Sequence, residues 1–298
     1  MENDKFGTGQ AVDGSTAVYG IIGHPVAHSY SPAMQTAALR ELGLNAIYVP
    51  FDTAPVRIAD AIAGLRALSI AGANVTVPYK EIVRLYMDEL DDSVNLYGVV
   101  NTVVNRQGKL IGYNTDGPGF IQALQAEHDY HPDCGPALLL GAGGAARAVA
   151  MALIKAGCPK LAVVNRHQNR AIALAQTLHV QTGFTAQVLP WDAGVPEMAD
   201  FAAQATLVVN CTPLGMSGYE AGNWPLPEGL PGQGQLAYDL VYNPTETPFI
   251  ARAVHNGAAA ANGLSMLLHQ GALALEAWTG RTAPLAVMRQ VLHRQAGV

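Results

Sequence analysis

Short apolar runs alternate along the chain with stretches in which apolar residues recur every three or four positions. The runs AVYGIIG (17–23), AIYVPF, GANVTV, VVNTVVN, KLIGY, PALLLG, LAVVN, AQVLP, TLVVN and QLAYDLVY read as strands. The periodic stretches SPAMQTAALREL, VRIADAIAGLRAL, KEIVRLYM, GFIQALQA, AARAVAMALIKAG, NRAIALAQTL, SMLLHQGALALEAWTG and PLAVMRQVLHRQ read as helices. Strand–helix alternation with short connections predicts parallel sheets with right-handed crossovers, with one hairpin at Gln107-Gly108. The turn-rich HDYHPDCGP marks a candidate domain boundary.

Length and composition agree with this picture. The 298 residues suffice for two domains, half are hydrophobic, and 31 glycines and 18 prolines suit many tight connections. A net charge of −6 gives no global basic field for nucleic acid or an anionic membrane. The most membrane-like stretch, ALLLGAGGAARAVAMALI, carries Arg147 and three glycines, and reads as a buried strand, a tight turn and a packed helix. Three cysteines without CxxC spacing suggest neither a disulfide framework nor a zinc site, which fits a reduced, cytoplasmic setting. The nine histidines show no ligand spacing, so no metal is expected. Residues 1–16 lack an apolar signal core and read as a flexible tail.

Two groups of residues carry candidate chemistry. The first is Gly141–x–Gly143–x–x–Ala146, set between an apolar strand and a small-residue helix as a dinucleotide-binding fingerprint requires. Gly141 serves the tight turn, and Gly143 leaves room for a pyrophosphate at the helix N-terminus. About 20 residues on, NAD enzymes place an acid on the ribose; here stand Asn165, Arg166, His167 and Arg170. Guanidiniums grip a 2′-phosphate that a carboxylate would repel, so NADP is favoured. Helix–sheet packing alone and an adenosyl-methionine site are the competing readings of the glycine loop.

The second group is Ser29, Ser31, Thr76, Lys80, Asn101 and Asp116, all at or just after predicted strand ends, the edge where parallel α/β folds bind ligands. Pro78 reads as the first position of a helix, which would put Lys80 in a first turn where the macrodipole disfavours a cation. Asp116 and Ser31 each have the plainer reading of an N-cap.

The segments GHPVAHSYSP, GANVTVPYK, GVVNTV, GYNTDGPG, GAGGAARA, NCTPLGM, YDLVYNPTETPF and NGLSMLLHQGALALEAW together resemble the shikimate dehydrogenase family. The resemblance runs from Tyr19 to the last helix. It implies an α/β protein with a substrate-binding and catalytic domain over 17–117 plus 262–298 and a Rossmann-type NADP-binding domain over 118–261, the C-terminal helices returning to the first domain. It implies reversible hydride transfer between NADPH and the ring ketone of 3-dehydroshikimate, a step of aromatic amino-acid biosynthesis, with Lys80 and Asp116 as the catalytic pair. Ser29 and Ser31 would hold the substrate carboxylate, and Thr76, Asn101, Tyr242 and Gln270 would meet or flank its ring hydroxyls. Gly141, Ala142, Gly143, Gly144, Ala145, Asn165, Arg166 and Arg170 match the family's NADP positions. Leu240 and Gly263 would lie near the nicotinamide half, and Asp92 and Met266 match further contacts. A monomer or homodimer is expected.

The chain departs from the family pattern at Ala33-Met34-Gln35-Thr36, where a His-Asn pair follows the Ser-Pro, and at Val99, His167 and Ser265. These mark a divergent paralogue. A quinate/shikimate or aminoshikimate dehydrogenase and a non-catalytic NADP-binding regulator are therefore the alternatives, although Ser31, rather than a threonine, resembles shikimate users.

Overall fold

A computed structural model describes residues 12–216, 218–219 and 224–298. The elements run β1 (Ala17–Gly23), α1 (Ser31–Glu41), β2 (Ala46–Asp52), α2 (Ile58–Ala67), β3 (Gly72–Val75), β4 (Glu89–Leu90), α3 (Asp92–Tyr97), β5 (Thr102–Arg106) and β6 (Lys109–Tyr113). The long helix α4 (Asp116–His128) leads on to β7 (Ala137–Leu140), α5 (Gly144–Lys155), β8 (Leu161–Val164), α6 (Gln168–Thr182) and β9 (Gln187–Leu189). Then come α7 (Pro196–Gln204), β10 (Leu207–Asn210), β11 (Leu236–Asp239), α8 (Pro248–His255), β12 (Ala259–Ala261), α9 (Leu264–Thr279) and α10 (Leu285–Ala296).

Two six-stranded sheets result. The second, ordered β12-β11-β10-β7-β8-β9, is parallel throughout and has the doubly wound Rossmann order, with its topological switch between β7 and β10. Its apolar runs are explained by burial on both faces. Ala137 and Leu139 of β7 face one core with α4 and α5, while Leu138 and Leu140 face another with Phe249 and Ala253 of α8. The first sheet, ordered β2-β1-β3-β5-β6-β4, is mixed, which corrects the expectation of parallel sheets. β5 runs antiparallel to both β3 and β6. The reason is the two-residue hairpin at Gln107 (φ 54°) and Gly108 (φ 91°), whose positive φ at both central positions matches the twist of adjacent antiparallel strands. Helices α1, α9 and α10 contribute Met34, Leu268, Leu275 and Met288 to the core on one face of this sheet, and α2 contributes Ile62 and Leu65 to the core on the other.

α4 joins the two halves. It packs along α9 and α5, and its Phe120 and Leu124 lie in the core of the second sheet, so the break expected at 117/118 falls inside a helix. Gly119 permits the closest approach: a side chain there would run into the backbone of Gln270, 2.6 Å from its nitrogen. At the far end of α4, Glu127 accepts hydrogen bonds from Arg289 Nη1 (2.5 Å) and Nη2 (2.7 Å), and meets His269 Nε2 at 3.0 Å.

Arg289 and then His269 hold the Glu127 carboxyl at about 2, against a burial effect of opposite sign. A carboxyl depressed on folding stabilises above its unfolded pKa and loses that contribution as pH falls through the folded one. Glu127→Gln is therefore expected to cost about 2–3 kcal/mol at pH 7. The difference from the parent should shrink as the pH of urea-unfolding measurements is taken from about 4.5 down towards 2.

Three local expectations change. Residues 1–11 of the expected tail lie outside the described residues, and 13–16 form a turn in which Asp13 Oδ1 accepts from Ser15 N (2.8 Å) and Asn45 Nδ2 (3.0 Å). KEIVRLYM forms only one 3-10 turn, Val83–Tyr86, so Lys80 is not in a helix. Finally, α3, α7, α8, β4 and β12 were not anticipated, and QLAYDLVY is a strand only over Leu236–Asp239.

Candidate active site

The mixed sheet explains how the second group of residues gathers. Gly23 and Val75 end the parallel strands β1 and β3, and Tyr113 ends β6, which runs in the same direction. β5 runs the other way, so Asn101, which precedes it rather than following a strand, reaches the same edge. Segments 24–31, 76–80, 101 and 114–116 thus share one rim.

Lys80 reaches its position through tertiary anchors. The buried side chain of Tyr79 donates to the Thr53 carbonyl, Tyr79 N bonds Thr76 O (2.9 Å), and Val100 N bonds Lys80 O (2.8 Å). Lys80 opens no helix of its own, and the positive N-terminus of α4 that it approaches is met there by the Asp116 carboxylate. Lys80 Nζ donates to Asp116 Oδ2 at 2.7 Å, with the lysine side chain 24% and the aspartate 8% exposed. Asp116 is the first residue of α4, whose N-cap is Thr115, so the capping reading fails and its carboxylate is free to serve Lys80.

The other oxygen, Asp116 Oδ1, accepts from Asn101 Nδ2 (2.9 Å). Asn101 is buried and fully engaged: its Nδ2 also meets Thr115 Oγ1 (2.9 Å) and Gln270 Oε1 (3.4 Å), and its Oδ1 accepts from Thr115 N (2.7 Å). Behind it, Tyr48 Oη donates to Asn74 Oδ1 (2.8 Å), and Asn74 Nδ2 donates to Thr102 Oγ1 (3.1 Å). Tyr48, Asn74, Thr102 and Thr115 are supports the sequence reading missed; their only local signal is polarity inside or beside apolar strands.

Ser31 is the first residue of α1, not its cap; Tyr30 is the N-cap and offers no side-chain bond. Pro32 has no N–H to offer, so it is the positive dipole end of the helix, beside the hydroxyls of Ser29 and Ser31, that favours an anion there. Ser31 N bonds Ser29 Oγ (3.3 Å). Of the family departures, Met34, Gln35 and Val99 are buried, Gln35 Nε2 donating to Gly271 O (2.9 Å), whereas Ala33 and Thr36 are half-buried and His167 is exposed. Ser265 Oγ bonds Tyr238 Oη (2.7 Å).

On the second sheet, Gly141 follows β7 with φ 116°, a conformation side chains rarely adopt, and a Cβ there would lie 3.1 Å from the Cys211 backbone. Around Gly143 and Gly144 there is open space instead. α5 starts at Gly144 with no side-chain cap, so its first N–H groups face that space. Ala142 lies in the turn, and Ala145 is the second residue of α5. After β8, Asn165 Nδ2 bonds His167 O (2.9 Å), and His167 is the uncapped N-cap of α6. Arg166 and Arg170 are exposed, and among the described residues neither guanidinium has a hydrogen-bond or ion-pair partner. No acid lies in the first turn of α6. An open glycine cradle at a helix N-terminus and two free guanidiniums near another fit a dinucleotide bearing a 2′-phosphate.

The two rims face each other. Tyr242, on the loop after β11, packs its ring on Tyr30 beside Ser31 (centroids 5.3 Å apart, 55°), and Arg147 of α5 lies against Gly98. Burial pushes the Tyr242 phenol up to about 12. Leu240 N bonds Asn210 O (3.0 Å) at the end of β10, next to the switch point, while Gly263 N bonds Val241 O (3.1 Å) and Met266 N bonds Tyr238 Oη (3.1 Å) at and just beyond β11. Gln270 Nε2 donates to Leu267 O (3.0 Å). Asp92 is exposed at the start of α3.

A Rossmann sheet whose switch point faces a lysine–aspartate pair defines a two-domain, dinucleotide-dependent oxidoreductase. Family profiles agree: "Shikimate dehydrogenase substrate binding domain" matches residues 21–103, "Shikimate / quinate 5-dehydrogenase" matches 127–212, and "Shikimate 5'-dehydrogenase C-terminal domain" matches 263–293. The chain is 46% identical to a shikimate dehydrogenase (NADP(+)) of Desulforamulus reducens over 95% of this chain and 97% of that one. It superposes with a TM-score of 0.88 on a crystal structure of shikimate dehydrogenase in complex with NADP+, at 36% identity, covering 97% of this chain and 99% of the other. A Thermus thermophilus shikimate 5-dehydrogenase in complex with NADP(H) and shikimate gives 0.83 at 38% identity, covering 94% and 99%. The chain belongs to the shikimate dehydrogenase family. Its three cysteines are free, and no helix among the described residues is long and apolar enough to cross a membrane.

Proposed function

We propose that this chain catalyses the reversible, NADP-dependent reduction of 3-dehydroshikimate to shikimate. The observation that carries the reading is the 2.7 Å Lys80–Asp116 pair on the rim opposite the nucleotide fingerprint. Bound NADPH supplies the hydride to the ring carbonyl carbon. As it arrives, negative charge grows on the carbonyl oxygen. Lys80 Nζ stabilises that charge and donates the proton that completes the alcohol. Asp116 holds the ammonium in place and accepts from a ring hydroxyl; Asn101 in turn fixes Asp116. Ser29, Ser31 and the N-terminus of α1 take the substrate carboxylate, with Tyr242 reaching it from the opposite rim. Thr76 and Gln270 flank the ring. Gly141–Ala145 seat the pyrophosphate, and Asn165, Arg166 and Arg170 the 2′-phosphate end, while Leu240, Gly263, Met266 and Asp92 line the remainder of the cleft. The reaction belongs in the cytoplasm, carried out by a monomer or homodimer.

Absorbance at 340 nm, with shikimate or quinate paired with NADP+ or NAD+, tests the assignment. Shikimate with NADP+ should give the highest kcat/KM by at least about tenfold, the worth of one charged hydrogen bond. No nucleotide reduction with shikimate, or equal rates with quinate, would refute it. The nucleotide arm has its own variant. Arg166→Ala should raise KM for NADPH by about 10–100-fold, because a guanidinium–phosphate contact contributes roughly 1.5–3 kcal/mol. KM for NADH should move by less than about threefold, since no 2′-phosphate is present to lose. Equal losses for the two nucleotides would place the 2′-phosphate elsewhere.

A further inference from the structure

Asp239 ends β11 fully buried, and the hydride chemistry has no use for it. Its Oδ1 accepts from Asn210 Nδ2 (2.8 Å) and from Val241 N (3.0 Å), and its Oδ2 accepts from Thr247 Oγ1 (2.6 Å). Each partner extends the network into a loop. Asn210, at the end of the neighbouring β10, accepts through Oδ1 from Thr212 N (3.0 Å) and Oγ1 (2.7 Å) and donates through Nδ2 to Leu214 O (3.3 Å). Thr247 caps α8, accepting from Ile250 N (3.2 Å). One carboxylate thus ties segment 210–214 to both ends of segment 240–247. Burial pushes this carboxyl up to about 6, so holding it ionised here works against folding. An apolar residue would fill the volume without that cost. Segment 240–247 carries Tyr242, whose ring lies on Tyr30 next to Ser31.

We propose that Asp239 is a positioning residue that acts through Tyr242: by pinning residue 241 at one end and Thr247 at the other, it sets the loop that brings the phenol of Tyr242 to the substrate carboxylate. The inference rests on the proposed function for the identity of that substrate. Tyr242 would grip the substrate away from the reacting carbon. Loss of its position therefore removes binding shared by ground and transition states, raising KM and sparing kcat.

The test is a double-mutant cycle on shikimate oxidation with Asp239→Asn and Tyr242→Phe, joined to amide hydrogen exchange of residues 240–247 in the free protein. Each single variant should raise KM for shikimate by about tenfold with kcat within about threefold. The double variant should stay near about tenfold rather than reach about a hundredfold, because two residues acting through one contact are not additive. Exchange over 240–247 should quicken by about tenfold or more in Asp239→Asn. A shikimate KM within about twofold of the parent, or multiplicative losses in the double variant, overturns the proposal. So does lower kcat at unchanged KM, the mark of a merely less stable enzyme. Should Asp239→Asn fail to fold, Thr247→Val removes one donor to the same carboxylate and enters the same cycle. A parent enzyme inactive on shikimate would sink the functional reading instead. Exchange then decides the inference, unchanged protection in Asp239→Asn overturning it and faster exchange supporting it.

Discussion

Lys80→Ala lowers kcat for shikimate oxidation by about 10²–10⁴, the usual worth of a positioned acid–base group, while the protein still folds. The size follows from what no neighbour can replace. Among the described residues, Lys80 is the cation bonded to Asp116 on this rim, and Asn101, the other donor to that carboxylate, is an amide with no proton to give up. Folding survives because Lys80 is held by its backbone, with Val100 N on its carbonyl and the buried Tyr79 beside it, so truncation beyond Cβ leaves those anchors intact. The check is kcat together with the thermal midpoint. A fall in kcat of less than about threefold at unchanged stability would remove the lysine from the proton path.

Asp116→Asn has the next largest expected effect, a fall in kcat/KM of about 10²–10³. The substitution keeps the shape but removes the charge and adds donors. Asp116 Oδ1 accepts from Asn101 Nδ2 at 2.9 Å and Oδ2 from Lys80 Nζ at 2.7 Å, so an amide must turn its own N–H₂ against one of two donors. One buried partner then loses its bond, at a cost of about 1–3 kcal/mol. The free ammonium swings off the line to the substrate oxygen. Loss in kcat as well as KM separates this from simple weakening of substrate binding, which would raise KM alone. Asp116→Glu, which keeps the charge but misplaces it, should recover part of the rate; no difference between the two variants would speak against the ion pair.

Features that depend on local residue type could be read before any coordinates. The glycine fingerprint demands a positive φ at Gly141 and open space at Gly143, and both are present. The hairpin at Gln107-Gly108 follows from turn chemistry, and the two-sided burial of ALLL from a continuous apolar run. Short elements escaped because their signals are caps rather than periodicity. In α3, Asp91 accepts from Ser93 N (2.9 Å) and Gly98 ends the helix left-handed; in α8, Thr247 and Pro248 start the helix. KEIVRLYM misled in the opposite sense. Its apolar spacing suits a helix, yet the contacts of Tyr79 and Lys80 with Thr53 and Val100 tie the backbone down elsewhere.

The site was legible as a set of residue types and illegible as a set of partners. Lys80 and Asp116 come from segments 36 residues apart, and Asn101 meets Gln270 across 169. Nothing in a strand such as GANV says that its asparagine will complete a polar chain from Tyr48 towards the Asp116 carboxylate. Asn101 shows the limit most plainly: its residue type and place mark a candidate substrate contact, but not that its amide also bonds Thr115, Asp116 and Gln270.

A crystal structure with shikimate and NADP+ bound tests the convergence of the two rims most directly. It should show one ring hydroxyl within hydrogen-bonding reach of Lys80 Nζ, at about 2.7–3.2 Å. The carbon bearing that hydroxyl should face the nicotinamide at about 3–3.5 Å. Shikimate seated away from the Lys80–Asp116 pair, or a nicotinamide ring lying outside the cleft between the rims, would contradict the account.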